Sequence, residues 1–146
     1  VSLWFEKYQP GDILKLRPFD ELTMAKVSTF GKIFDGLATL GPSYTYFHGE
    51  KPVMCIGLAL YWPGTAEAWM VLDQEIRQYP YDAFRKVKDA LEYFTRRLRL
   101  HRVQAMSSED WGAGRHFVEK LGFKTEGVMR RAGPAGENVV MYARVN

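Results

Sequence analysis

One cysteine in 146 residues leaves this chain no internal disulfide. Cys55 lies inside the apolar run VMCIGLALY and reads as a small buried residue, not a nucleophile. No apolar run approaches the ~20 residues that a membrane-spanning helix needs. The N-terminus has no basic-then-apolar leader pattern, so the expectation is a reducing cytoplasm and no membrane. The three histidines, His48, His101 and His116, show no metal-ligand spacing. They read as surface or partly buried residues, and no metal is expected. Repeats, low-complexity segments and linkers are also missing. The expectation is one domain over residues 1–146 with a single core, and residues 1–9 as a tail or edge segment. Excess charge is small, +3. It is unevenly placed, with Arg85, Lys86, Lys88, Arg96, Arg97, Arg99 and Arg102 crowding one segment. That cluster is either the solvated face of an amphipathic helix or an attractor for a nucleotide phosphate. Nucleic acid ranks last, because no nucleic-acid motif accompanies the charge.

What is present is a clear alternation of periods. Ile13 to Arg17 alternates apolar and basic residues and predicts a first strand. Pro18 and Asp20 end it, with Asp20 placed to cap a helix. Leu22, Ala25, Val27, Phe30, Ile33, Phe34 and Leu37 form a helical stripe, which Gly31, Gly36 and Gly41 divide into two short helices. Ser43 to Phe47, Val53 to Tyr61 and Ala66 to Leu72 are strand-like runs joined by Gly/Pro turns, an antiparallel meander. Phe84, Val87, Leu91, Phe94 and Leu98 fall three and four apart, so Tyr81 to Leu100 is an amphipathic helix. A strand from Arg102, a helix from Trp111 to Leu121 and two closing strands complete the order β-α-α-β-β-β-α-β-α-β-β. The fold class is α+β: a mixed, mostly antiparallel sheet of about seven strands flanked by about four helices.

The run FVEKLGFKTEGVMRR, with Leu121, Gly122, Phe123, Glu126 and Gly127, resembles the closing motif of the GCN5-related N-acetyltransferases (GNAT superfamily). LKLRPFDE resembles the opening strand and turn of that family, and GEKPVMCIGLALY its second hairpin. The element order from Leu14 to Arg144 is also similar to theirs. The resemblance implies an acyl-CoA-dependent N-acyltransferase that moves an acetyl group from acetyl-CoA to a primary amine: a protein N-terminus, a lysine or a small molecule. It implies a bulged fourth strand, here Ala66 to Leu72, splayed from the fifth, with backbone groups of Met70, Val71 and Leu72 pairing with the pantetheine. It also implies a pyrophosphate loop, R/Q-x-x-G-x-G/A, at the following helix. That segment here is RQYPYDA. Arg77 holds the leading basic position, Pro80 stands at the first glycine, and Asp82 or Ala83 at the second. Pro80 has no N–H to donate, and Asp82 brings negative charge and is a natural N-cap. Such altered loops resemble those of acetyltransferase-like proteins of tailed phages, some of them virion or assembly components. A non-catalytic structural or interaction protein with this fold is therefore the alternative, and a second copy of the chain is a candidate partner.

Family members often use a Tyr on the last helix as acid, and Val118 occupies its place here. The candidates that remain are Glu67 and Asp73 as bases through water, against the plainer reading of solvated strand-end carboxylates. Ser107 and Ser108 end the fifth strand near the expected thiol, as donors or as turn caps. Tyr79 and Tyr81 are acids or aromatic packing, with packing favoured and Tyr81 near the cofactor loop. Asp110 falls near a cofactor-contacting position of the relatives, or caps the helix that begins at Trp111. Trp62, Trp69, Tyr44, Tyr46 and Phe47 are aromatic core, with room for one or two in an acceptor groove.

Overall fold

The computed structural model describes residues 2–18 and 31–146. Its strands are β1 (Trp4–Lys7), β2 (Ser43–His48), β3 (Lys51–Trp62), β4 (Thr65–Leu72), β5 (Arg102–Ser108), β6 (Lys124–Met129) and β7 (Val139–Val145). Residues 31–38 are helical (α1), followed later by α2 (Pro80–Arg97) and α3 (Gly112–Lys120). The seven strands form one sheet in the order β1-β2-β3-β4-β5-β7-β6. Every pairing described along it is antiparallel except β4 with β5. The α+β expectation holds. The chain divides into two compact units, Val1–Ala59 with Trp69–Asp89, and Leu60–Ala68 with Ala90–Asn146.

The first unit corrects the opening of the sequence reading. Asp12–Lys15 is a 3-10 helix, not a strand. Ile13 within it and Leu16 at its C-cap are both buried and three apart, which is the period of a 3-10 turn. The Asp12 carboxylate forces the curl: it accepts from the Gln9 amide at 3.0 Å, from Thr45 Oγ1 at 2.7 Å and from Lys15 Nζ at 3.2 Å. The first strand is instead Trp4–Lys7, on the sheet edge and antiparallel to β2. α1 runs through Gly36, one of the three glycines expected to divide the early helical stretch. Asp20 and the stripe from Leu22 to Phe30 lie outside the described residues. The core of this unit is Tyr8, Ile13, Leu16, Cys55, Trp69 and Val71, with Phe34, Leu37 and Ala38 against it. Gly57 is required there, because a Cβ would stand 2.4 Å from the Trp69 indole. Burial pushes the Cys55 thiol up to about 12, so it stays protonated and inert.

In the second unit β5 pairs with β7 over its whole length, from Arg102 with Val145 to Ser108 with Val139. The Leu-Gly-Phe signal is a helix stop built locally. Gly122 takes a left-handed φ of 94°. Its amide reaches Glu119 O at 3.0 Å, and the Phe123 amide reaches Val118 O at 3.3 Å. Only glycine adopts this cheaply, and Leu121 and Phe123 then fall inward on either side. Tyr142 is fully buried; its hydroxyl donates to Glu119 Oε2 at 2.8 Å and accepts from Arg115 Nε at 2.9 Å, which pins α3.

Candidate active site

The parallel ladder between β4 and β5 comprises three pairs, Thr65 with Arg102, Ala66 with Val103 and Glu67 with Gln104. The strands themselves go on, to Leu72 and to Ser108. Glu67 therefore stands at the last rung. It is not the solvated strand-end carboxylate that the sequence suggested, since only 8% of its surface is exposed. The Tyr61 hydroxyl donates to Glu67 Oε1 at 2.5 Å, and Gln104 Nε2 donates to the same oxygen at 3.3 Å. Burial, and then the bond to this carboxylate, push the Tyr61 hydroxyl up to about 12. Tyr61 thus remains a donor throughout the physiological range. Among the described residues Glu67 Oε2 has no hydrogen-bond partner, and it is not one of the sealed buried atoms.

Asp73 has a different occupation. It is fully buried and caps the 3-10 helix Gln74–Gln78 by accepting from the Glu75 amide at 2.9 Å. The Arg17 amide donates to it at 2.6 Å and the Arg17 guanidinium at 3.1 and 3.4 Å. Burial would raise its pKa, but the Arg17 and Glu75 bonds outweigh that and hold it below the usual carboxylate value. A carboxylate with every bond spent is a poor proton acceptor, so Asp73 is a structural residue.

Tyr79 ends the same 3-10 helix. Its hydroxyl lies 3.1 Å from Nδ1 and 3.3 Å from Nε2 of His48, and the two rings pack at 4.6 Å. His48 Nδ1 is 3.0 Å from Glu75 Oε2, and Lys51 Nζ donates to Glu75 Oε1 at 2.9 Å. Lys51, and then His48, hold Glu75 below the usual range. Sequence reasoning singled out Tyr79 but missed His48, Lys51 and Glu75 as its neighbours, because the members come from the ends of β2 and β3 at their turn and from the 3-10 helix after β4.

The remaining candidates divide by element. Met70, Val71 and Leu72 are the last residues of β4; the Val71 side chain is in the core and the other two are half-buried. The helix expected from Tyr81 begins one residue earlier, at Pro80. Proline there loses nothing, because the first amides of a helix have no acceptor within it. The Ala83 amide is spent on Tyr79 O at 2.9 Å, so the amides of Tyr81 and Asp82 are the ones without an intrahelical acceptor. Asp82 is not the N-cap that was expected. It lies in the first turn, and its carboxylate accepts from the Leu3 amide at 2.9 Å. Tyr81 is 80% exposed, and Arg77 and Arg85 are exposed close by in the chain. Asp110 does not cap α3: the capping position is Trp111, which makes no side-chain cap bond. Ser107 and Ser108 are buried at the end of β5, where the Ser108 carbonyl accepts from the Trp111 amide at 3.2 Å. Among the described residues no group of His, Cys, Asp or Glu could hold a metal ion, and no helix is long and apolar enough to cross a membrane.

No family model matches the chain, and no curated protein matches it. Solved structures do. Ard1 from Thermoplasma volcanium is 16% identical, with 99% of this chain and 98% of that chain covered and a TM-score of 0.79. The acetyltransferase (GNAT family) from Bacillus anthracis is 17% identical over 99% of this chain and 95% of that one, with a TM-score of 0.74. The ribosomal-protein-S5-alanine acetyltransferase from Vibrio fischeri is 12% identical over 100% and 94%, with a TM-score of 0.72. At these identities the likeness is one of architecture: the chain has the fold of the GNAT-family acetyltransferases.

Proposed function

We propose that this protein is an acyl-CoA-dependent N-acyltransferase, with acetyl-CoA as donor and a primary amine as acceptor. The observation that carries the reading is the half-satisfied Glu67 at the rung where the β4–β5 ladder ends. Acetyl-CoA supplies a thioester carbonyl, the electrophile. The chain supplies the rest. Backbone groups of Met70, Val71 and Leu72 offer a strand edge for amide pairing. The Tyr81 and Asp82 amides with the α2 dipole, helped by Arg77 and Arg85, offer an anion site in place of the glycine-rich loop. Glu67 Oε2 takes the proton of the attacking amine, directly or through one water. As the carbon–sulfur bond breaks, the Ser108 hydroxyl can donate to the departing sulfur. Val118 leaves the usual tyrosine acid missing, which puts more weight on this donor and on solvent. Ribosomal-protein alanine is what the Vibrio fischeri neighbour's name says it acts on, and a protein N-terminus is the first acceptor to try here. Such a reaction belongs in the cytoplasm, where acetyl-CoA is available.

A second reading has its own observation. Pro80 at the helix start and an Asp82 carboxylate committed to Leu3 are what a scaffold that has given up diphosphate binding would show. That protein would be a non-catalytic structural or interaction component with a phage-like altered loop. Thermal melting with and without acetyl-CoA separates the two. Ligand at 100 times its dissociation constant adds roughly 2.7 kcal/mol, or several degrees for a domain of this size. Arg77→Glu should abolish that shift. Release of free CoA is then measured with an alanine-starting peptide, a lysine-containing peptide and spermidine. No shift at millimolar acetyl-CoA, and no release with any acceptor, would establish the second reading instead.

A further inference from the structure

Among the described residues Glu67 is held from one side only, and the holding groups are themselves held. Tyr61 and Gln104 both donate to Oε1, at 2.5 and 3.3 Å. Gln104 has an amide that could turn either way, but Arg102 Nε donates to its Oε1 at 3.0 Å. The flipped amide would set an NH2 against the guanidinium and an oxygen against the Glu67 carboxylate, both repulsive. Arg102 in turn is clamped by Glu126, with its two terminal nitrogens donating at 2.9 and 2.6 Å. This bidentate geometry fixes the plane of the guanidinium.

We infer that Tyr61 and Gln104, the latter oriented by the Arg102–Glu126 pair, are positioning residues for acyl transfer: they anchor one oxygen of Glu67 so that the other is presented in a fixed direction to the acceptor amine. The inference rests on the reading of Glu67 as the base. In the step itself one amine N–H bond breaks and one O–H bond forms at Glu67 Oε2. The Tyr61 and Gln104 protons stay where they are, and the bonds to Oε1 persist. Two donors on one oxygen remove the rotation that would swap the two oxygens, and a base held in line with its proton gains rate without any change in substrate affinity. The bonds hold the base and not the cofactor, so their loss should appear in kcat and not in KM for acetyl-CoA.

The test is a set of double-mutant cycles. The acceptor is the fastest of the three named above, at saturation, and CoA release is followed over a range of acetyl-CoA concentrations. Y61F, Q104A and R102M should each lower kcat about tenfold with KM for acetyl-CoA unchanged. In an E67A background none of the three should lower it further, because a residue that acts through Glu67 has nothing left to act on. Melting curves identify any variant that fails to fold, and Q104N replaces Q104A in that event. If the three changes cost the same factor with and without Glu67, or cost nothing alone, the inference is overturned while acyl transfer stands. An E67A protein at the wild-type rate overturns it too. Absence of turnover in the wild type with every acceptor removes the acyltransferase reading itself, and this inference with it.

Discussion

Two carboxylates border β4, and they are opposites. Asp73, just past its end, is fully buried and spends both oxygens on the Arg17 amide, the Arg17 guanidinium and the Glu75 amide. Glu67, near its beginning, is almost as buried, yet both of its donors fall on one oxygen. Burial alone therefore says little about the job of an acid side chain. A saturated carboxylate is a structural tie, because protonating it breaks several bonds at once. A half-saturated one can accept a proton and lose none of the bonds that orient it. Sequence reading treats the two as equivalent candidates, and bond counting separates them.

The sharpest break of this contrast is in stability. D73A leaves the Arg17 and Glu75 donors without their acceptor, and the expected loss is about 3–4 kcal/mol. E67A should cost about 1 kcal/mol, since Tyr61 is 44% exposed and can turn its hydroxyl to water. Urea unfolding of both variants measures this, and equal losses would erase the distinction.

A smaller effect follows from pH. The folded Asp73 carboxyl lies below its ordinary value of 3.8. A group shifted down stabilises fully above the unfolded pKa, and that contribution is lost as pH falls through the folded value. The wild-type urea midpoint should thus fall on acidification below about pH 4, more steeply than that of D73N, which has no such carboxylate to protonate. Parallel acid limbs for the two proteins would assign the acid sensitivity elsewhere. The smallest effect should come from R17A. It removes only the exposed guanidinium and keeps the short backbone bond from residue 17 to Asp73. A midpoint drop as large as that of D73A would show that the ion pair, not the amide bonds, secures this carboxylate.

Much of the fold was legible because its signals are local. The stripe Phe84, Val87, Leu91 announced α2, and Leu121-Gly122-Phe123 announced the end of α3, since a left-handed glycine between two inward apolar residues needs no distant partner. The errors arose where a distant side chain overrides a local pattern. Ile13 to Arg17 alternates like a strand, but Asp12 reaches Thr45 and the turn closes. Asp82 and Asp110 look like helix caps. Yet the first is drawn to Leu3, and the second is not the capping position.

The sequence by itself determined the order of strands and α-helices from β2 onward, the absence of a disulfide and the closing motif, because periodicity and turn chemistry act between near neighbours. Only the tertiary structure decided that Glu67 is buried, which of its oxygens is held, and that Gln104 and Arg102 stand behind it. Those facts depend on a parallel pairing between strands 37 positions apart at Glu67 and Gln104. No local preference encodes which side chains such a pairing brings together.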